Sequence, residues 1–277
     1  MNAIHPQLAT AAQRQQRLRA ETRALQRHCR RVRPTAETIH AVRLCCKRLV
    51  AWQQLLEDAG VHGLASSRRH LRRLGRRVAQ QRDATVMAEG LAELAAACTT
   101  IRQRDACLTL AGTLQQVPPC TAPGPKLLER VDQVLLALVQ LPLPEPGELG
   151  AALCRQYRRC RRLARAALAS HGDEAAFHAL RKRVKQLQYQ LAWLSSEPHP
   201  QLAPLKLLGS TLGRLHDLQV LQAWLEQRRP EEIPAATKRA VLRAIRWRSA
   251  RCLRELRVPL QRLFARPARR WGAFADD

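Results

Sequence analysis

Two stretches of the 277-residue chain repeat one sparse pattern, a histidine followed by basic residues three and seven positions on. They are His40-Ala41-Val42-Arg43 with Lys47, and His178-Ala179-Leu180-Arg181 with Lys185. At 100° per residue the three positions of each set fall within about 60° of one another, so each makes one cationic line along a helix. An aspartate segment follows each line, Asp83-Ala84-Thr85-Val86 in the first half and Asp217-Leu218-Gln219-Val220 in the second. The histidines lie 138 residues apart and the aspartates 134, so the first half holds about one extra helical turn between its motifs. A chain that repeats itself this way must build two similar sets of helices. Cations kept while their neighbours drift point to a task for those cations.

Charge narrows that task. Lys and Arg number 48 against 22 Asp and Glu, a formal charge of +26, and only six of the cations are lysines. Such an excess repels itself in a compact chain unless a polyanion neutralises it. Arginine grips phosphate with a rigid two-pronged fork, which fits an oxyanion partner. A GC-rich genome would also raise arginine over lysine, but it leaves the net charge unexplained. Aromatic residues are only 4% of the chain while hydrophobic ones are 46%. The core must therefore be built from Leu, Ala and Val, which suits packed helices. The nine cysteines show no C-x-x-C spacing and sit largely at apolar helical positions, which fits free thiols in a reducing compartment. Residues 1–10 lack the apolar run of a secretory signal, and no apolar run approaches membrane-spanning length, so a cytoplasmic protein is expected.

Between the prolines nearly everything reads as helix. Leu18, Thr22, Leu25, Cys29 and Val32 keep a 3–4 spacing up to Pro34, and Thr35 and Thr38 open the helix bearing His40. A helix over 64–81 carries two arginine stripes, Arg68, Arg72, Arg76 and Arg69, Arg73, Arg77. Asp83 would cap a fourth helix, and a fifth spans about 101–116. Prolines at 118–125 and 142–146 bracket a bridging helix over 126–140. The series then restarts. A helix over 147–169 lines up Arg155, Arg158, Arg162 and Arg165, and one over 173–196 carries His178. A short helix near 204–214 and an Asp217-capped helix are expected next. The last helix, 235–264, shows Arg239, Arg243, Arg246, Arg254 and Arg257 on its outer side. The prediction is all-α, with two halves that share one order of helices.

A histidine beside an apolar run is commonly a satisfied core residue. Two at matched positions, each leading an Arg and a Lys, favour a binding site in which the ring donates to an oxyanion and gains charge as pH falls. An aspartate before a helical run is first an N-cap and second a partner for a nearby Arg or His. Arginine faces are usually relieved by i,i+4 acids, yet there is no Asp or Glu from 64 to 81 or from 150 to 170. That favours a polyanion groove over solvated faces. Catalysis finds little support: phosphoryl chemistry needs clustered carboxylates for metal ions, and the acids here are scattered. A metal held by His40, His178 and cysteines would face repelling cations, so no metal or cofactor is expected.

These residues resemble the CHAD domain, the conserved histidine α-helical domain. The likeness lies in His40…Arg43…Lys47 and Asp83…Val86, in Phe177-His178-Ala-Leu-Arg181-Lys-Arg-Val-Lys185-Gln-Leu-Gln-Tyr189, and in Leu212-Gly213-Arg214-Leu215-His216-Asp217-Leu-Gln-Val220. It spans nearly the whole chain, with helical repeats over 1–118 and 147–277 and a linker with the bridging helix over 119–146. It departs where the first half has Val78-Ala79 in place of Leu-Gly, with Leu74-Gly75 one turn earlier, and where Gln188 replaces an arginine. The resemblance implies two antiparallel helical bundles related by a pseudo-twofold axis, a basic groove between them and non-enzymatic binding of inorganic polyphosphate, in some members at polyphosphate granules. Carried onto this chain, His40, Arg43, Lys47, His178, Arg181 and Lys185 would centre the site, and Arg72, Arg76, Arg158, Arg162, Arg243 and Arg246 would extend it. The alternatives are a nucleic-acid-binding helical protein, for which stacking aromatics are few, and then a metal-dependent polyphosphate-processing enzyme.

Overall fold

A computed structural model describes residues 8–31, 34–79, 83–114, 123–170, 172–197 and 199–267. Among these residues there are ten helices and no strand, only an isolated bridge between Leu8 and Ser195. The helices are α1 (Ala11–Cys29), α2 (Ala36–Asp58), α3 (Ala65–Ala79), α4 (Asp83–Ala97), α5 (Ile101–Leu114), α6 (Pro125–Gln140), α7 (Pro146–Ala169), α8 (Glu174–Leu194), α9 (Leu202–Glu226) and α10 (Ala235–Leu263). The fold is all-α.

Local chemistry sets several boundaries. The Thr10 hydroxyl accepts from Gln13 N and Thr35 from Thr38 N, while the Asp173 carboxylate accepts from Ala175 N and Ala176 N. These side chains satisfy amides that the first turn leaves without a partner. Pro125 and Pro146 open α6 and α7, where a missing N–H costs nothing. At the far end of α8, Arg17 donates to the carbonyls of Ala192, Trp193, Ser195 and Ser196, bringing positive charge to the negative end of the helix.

One expectation fails clearly. The short helix near 204–214 and the Asp217-capped helix are a single helix, α9, and Asp217 stands inside it rather than at its start. Leu205, Leu208, Leu212, Leu215, Leu218, Leu221 and Leu225 make an unbroken buried stripe through this segment. That burial outweighs the roughly 1 kcal/mol that each of Gly209 and Gly213 costs in a helix. In the first half the corresponding stretch is divided between α3 and α4. Asp83 opens α4, but its side chain lies outside the described residues.

The buried side chains form one contiguous core that draws on all ten helices. At its centre α2 crosses α8, where the Trp52 and Trp193 rings stack at 5.2 Å and Gln190 Nε2 donates to Ala51 O at 3.0 Å. α3 and α7 pack beside this pair, while the α4–α5 hairpin packs against α9 and α10. Each packed group therefore mixes helices of both sequence halves. α6 lies on α1 and α3, tied by Asp132 accepting from Gln26 at 2.8 Å and Arg30 at 3.0 Å. Trp52→Ala should lower the unfolding free energy by about 3–5 kcal/mol. Leu136→Ala, at a 63% exposed position of α6, should stay within about 0.5 kcal/mol. Urea titration followed by circular dichroism compares the two.

Candidate functional site

Where α2 and α8 diverge from their crossing, α3 and α7 wall off a cavity of about 1080 Å³. α2 contributes Arg43 and Lys47, and α8 contributes His178, Arg181, Lys182, Arg183 and Lys185. α3 adds Arg72 and Arg76, and α7 adds Arg159 and Arg162. Among the described residues ten that line it are Arg or Lys and none is Asp or Glu. Apolar side chains, among them Val50, Leu71 and Leu163, line it as well, with Gln54, Gln186 and Tyr189 as the neutral polar groups.

Carboxylates stand behind these walls and hold them. Asp58, the last residue of α2, accepts from Arg159 at 3.1 and 3.2 Å and from Gln156, and its carbonyl accepts from Arg155. Glu57 pairs with Arg68 of α3. The arginine stretches of α3 and of α7 from residue 150 on carry no acids of their own, but the end of α2 neutralises one arginine on each. On α9, an added Cβ at Gly209 would stand 3.0–3.3 Å from the Lys185 stem, so the bare backbone gives that lysine its course into the cavity. Gly75 of α3 meets Cys46 beside Lys47. Gly75 and Gly209 each precede the motif aspartate by eight residues. The Leu74-Gly75 that looked one turn early is thus in register with Leu208-Gly209, not with Leu212-Gly213.

Crowding of like charge marks the electrostatics. Lys47 keeps contact with water but is hemmed in by protein on most sides. That desolvation, with Arg43, Arg181 and Lys185 around it, lowers its pKa to about 8. Burial, Arg181 and Lys206 lower Lys185 in the same sense. Loss of water pushes the Asp217 carboxyl up, while Arg181, Lys47 and Arg43 pull it back. The aspartate thus lies in the field of the cationic cluster, inside α9 and not at its capping position. His178 Nδ1 lies 3.2 Å from His216 Nδ1, a distance at which one ring donates and the other accepts. Burial, Lys182 and Arg181 lower His178, and burial, Arg181 and His178 lower His216 to about 4. The surroundings of His178 thus work against the charging on which the expectation from the sequence rests. Arg181 Nε and Gln186 Nε2 are buried donors without an acceptor.

A family profile described as the CHAD domain matches residues 16–226. The chain belongs to the CHAD domain family. Its architecture is similar to the crystal structure of the CHAD domain from the plant Ricinus communis, with a TM-score of 0.59 and 20% identity over 96% of this chain and 95% of that one. At that identity the likeness speaks for the fold alone. No curated protein matches the chain.

Of the residues singled out in this CHAD sequence, Arg43, Lys47, Arg72, Arg76, Arg162, His178, Arg181 and Lys185 share the cavity. His40, Arg158, Arg243 and Arg246 are exposed and stand outside its lining. The cavity is not symmetric about the repeat. It takes its flanks from α3 and α7, whereas the counterpart of α7 in the first half is α1. Sequence reading missed Arg159, Lys182, Arg183, Gln54, Gln186, Tyr189 and His216. Lys182 and Arg183 had a signal in the unbroken Arg181-Lys182-Arg183 run, passed over because neither falls on the His-Arg-Lys line.

The depressed Lys47 value has a sign that can be checked. The unfolded chain holds that proton up to the usual value near 10.5, so the repulsive penalty in the fold is complete below about pH 8 and fades as pH rises towards 10.5. Lys47→Met should therefore raise the melting temperature at pH 7, and its advantage should shrink by pH 10. A difference independent of pH would place its cause elsewhere.

Proposed function

We propose that the protein binds inorganic polyphosphate in this cavity and does not transform it. The observation that carries the reading is the lining itself: ten Arg and Lys side chains from four helices, no carboxylate among its described residues, and Lys47 and Lys185 held below their usual pKa by burial and by neighbouring cations. Such a site is incomplete without negative charge. A bound phosphate chain would relieve the repulsion, release its own counterions and accept paired guanidinium hydrogen bonds. Arg181 Nε and Gln186 Nε2 are donors available to it. Polyphosphate is flexible and has no bases to read, which suits an enclosure with Tyr189 as its one aromatic residue.

The same residues support binding rather than catalysis. Among the described residues the lining offers no carboxylate to hold magnesium, and no group of three or more His, Cys, Asp or Glu is placed to bind a metal. Cys46, the lining thiol, is pushed well above its usual pKa by burial, so it is a poor nucleophile. We place the protein in the cytoplasm, with polyphosphate granules as the assembly such a site could join. Among the described residues no helix is long and apolar enough to cross a membrane.

Polyphosphate should outcompete RNA or duplex DNA of equal charge for the cavity by at least about tenfold, or roughly 1.4 kcal/mol. Arg43→Ala with Arg181→Ala should weaken polyphosphate binding and flatten the log–log salt dependence by about 1.5–2, with helical content intact. Equal binding of RNA at the cavity, or release of orthophosphate with magnesium present, would defeat the reading.

The pH response should follow Lys47 rather than the histidines. A bound anion raises the depressed Lys47 value, so binding takes up protons near pH 8 and affinity declines from pH 7 to pH 9. Calorimetry in two buffers of different ionisation enthalpy measures that uptake, and Lys47→Met should remove most of it.

A further inference from the structure

The arginines of α10 lie apart from the cavity and have a geometry of their own. Arg239, Arg243, Arg246, Arg254 and Arg257 are all exposed. At 100° per residue they fall within an arc of about 80°, and at 1.5 Å per residue they extend about 27 Å along the helix. None of the five forms an ion pair with a described residue. Glu255, the acid nearest to them in sequence, is engaged by Arg214, Arg248 and Arg251. The inner face of α10 is fixed on the core through Val241, Ile245, Cys252, Leu256 and Leu260, and the one proline inside the helix, Pro259, stands beyond the last of these arginines, so the five share one exposed cationic face.

We propose that this edge is a second polyanion site, separate from the cavity, and that it takes the phosphate backbone of a double-stranded nucleic acid without reading its sequence. Shape divides the two partners. A double helix is stiff over about 50 nm and cannot bend to follow the walls of a half-open cavity of about 1080 Å³, but it can lie along an exposed row of arginines. A flexible phosphate chain can enter the cavity, and on the open edge it would be held from one side only. Duplex DNA carries one charge per roughly 1.7 Å of axis, so a 27 Å edge faces ample phosphate for five guanidinium groups. Trp247, 40% exposed beside Arg246, is the large aromatic residue on this part of the helix. One ring does not make the stacking ladder that single strands use. The cavity and the edge would let one molecule hold a phosphate chain and a duplex together.

The test uses the full chain, a 24-base-pair duplex DNA of random sequence, and long-chain polyphosphate. Duplex binding should show a log–log salt slope near −4.5, which is about 0.9 for each of five phosphate contacts. Arg239→Gln, Arg254→Gln and Arg257→Gln together should weaken it at least tenfold and reduce that slope by about 2.7. The same three changed to lysine should stay within about threefold, since the charge remains. Polyphosphate binding should be unchanged in both variants, and Arg43→Ala with Arg181→Ala should leave duplex binding intact. Saturating polyphosphate should not release the duplex. The proposal is overturned if the glutamine variant binds duplex normally, or if one polyphosphate chain displaces the duplex from a single shared site. Tighter binding of single-stranded DNA, or of anionic phospholipid vesicles, than of duplex would overturn it as well. A wild-type protein that binds duplex but no polyphosphate would defeat the cavity reading and leave this one standing.

Discussion

Two helices whose facing side chains repel each other are held together by apolar contact, and the rest of the molecule is arranged around that opposition. α2 and α8 bring Arg43, Lys47, Arg181 and Lys185 into one space, where Lys47 loses part of its hold on a proton. What keeps them there lies one or two turns away, in the Trp52–Trp193 stack and the Gln190 hydrogen bond to Ala51. Coulomb repulsion acts over several ångströms in water-filled space, while burial of two indoles is short-ranged and strong. The fold separates the two along the same helix pair, apolar where the helices touch and cationic where they diverge.

The acids are used sparingly and from behind. Glu57 and Asp58 close α2 by binding Arg68 and Arg159, which fixes α3 and α7 as walls without placing a negative charge inside. Asp217 shares the field of Arg181, Lys47 and Arg43, and Glu93 of α4 reaches that field from the neighbouring hairpin. Structural neutralisation stays at the margins, so the positive potential of the cavity is left for a ligand.

Helix content was legible in the sequence because apolar spacing is a local property, and ten helices follow it with ends displaced by a few residues. The exception at Asp217 shows the limit. Its pattern resembles a cap, but an unbroken leucine stripe runs beneath it, and burial decides. The α2 and α8 portions of the cavity were legible because helical periodicity puts Arg and Lys in line. Which helices stand beside them is a matter of tertiary packing, and periodicity says nothing of it. Hence α7 contributes Arg159, which sequence reading overlooked, while Arg243 and Arg246 of α10 lie on another surface. His40 and His178 match in the repeat yet differ in setting: one is exposed outside the cavity, the other lies against His216.

The exchange of helices between the two halves bears on how the protein is made. The α4–α5 hairpin packs on α9 and α10, which are synthesised last. At the usual 5–20 residues per second, about seven to thirty seconds separate the emergence of α5 from that of α10. During that interval the leucines of α4 and α5 have each other but not the α9 and α10 surfaces that finally cover them. The duplication visible in the sequence is therefore not a pair of self-sufficient units. A nascent first half must be shielded, by the ribosome surface or by a chaperone, until the far end of the chain arrives to cover it.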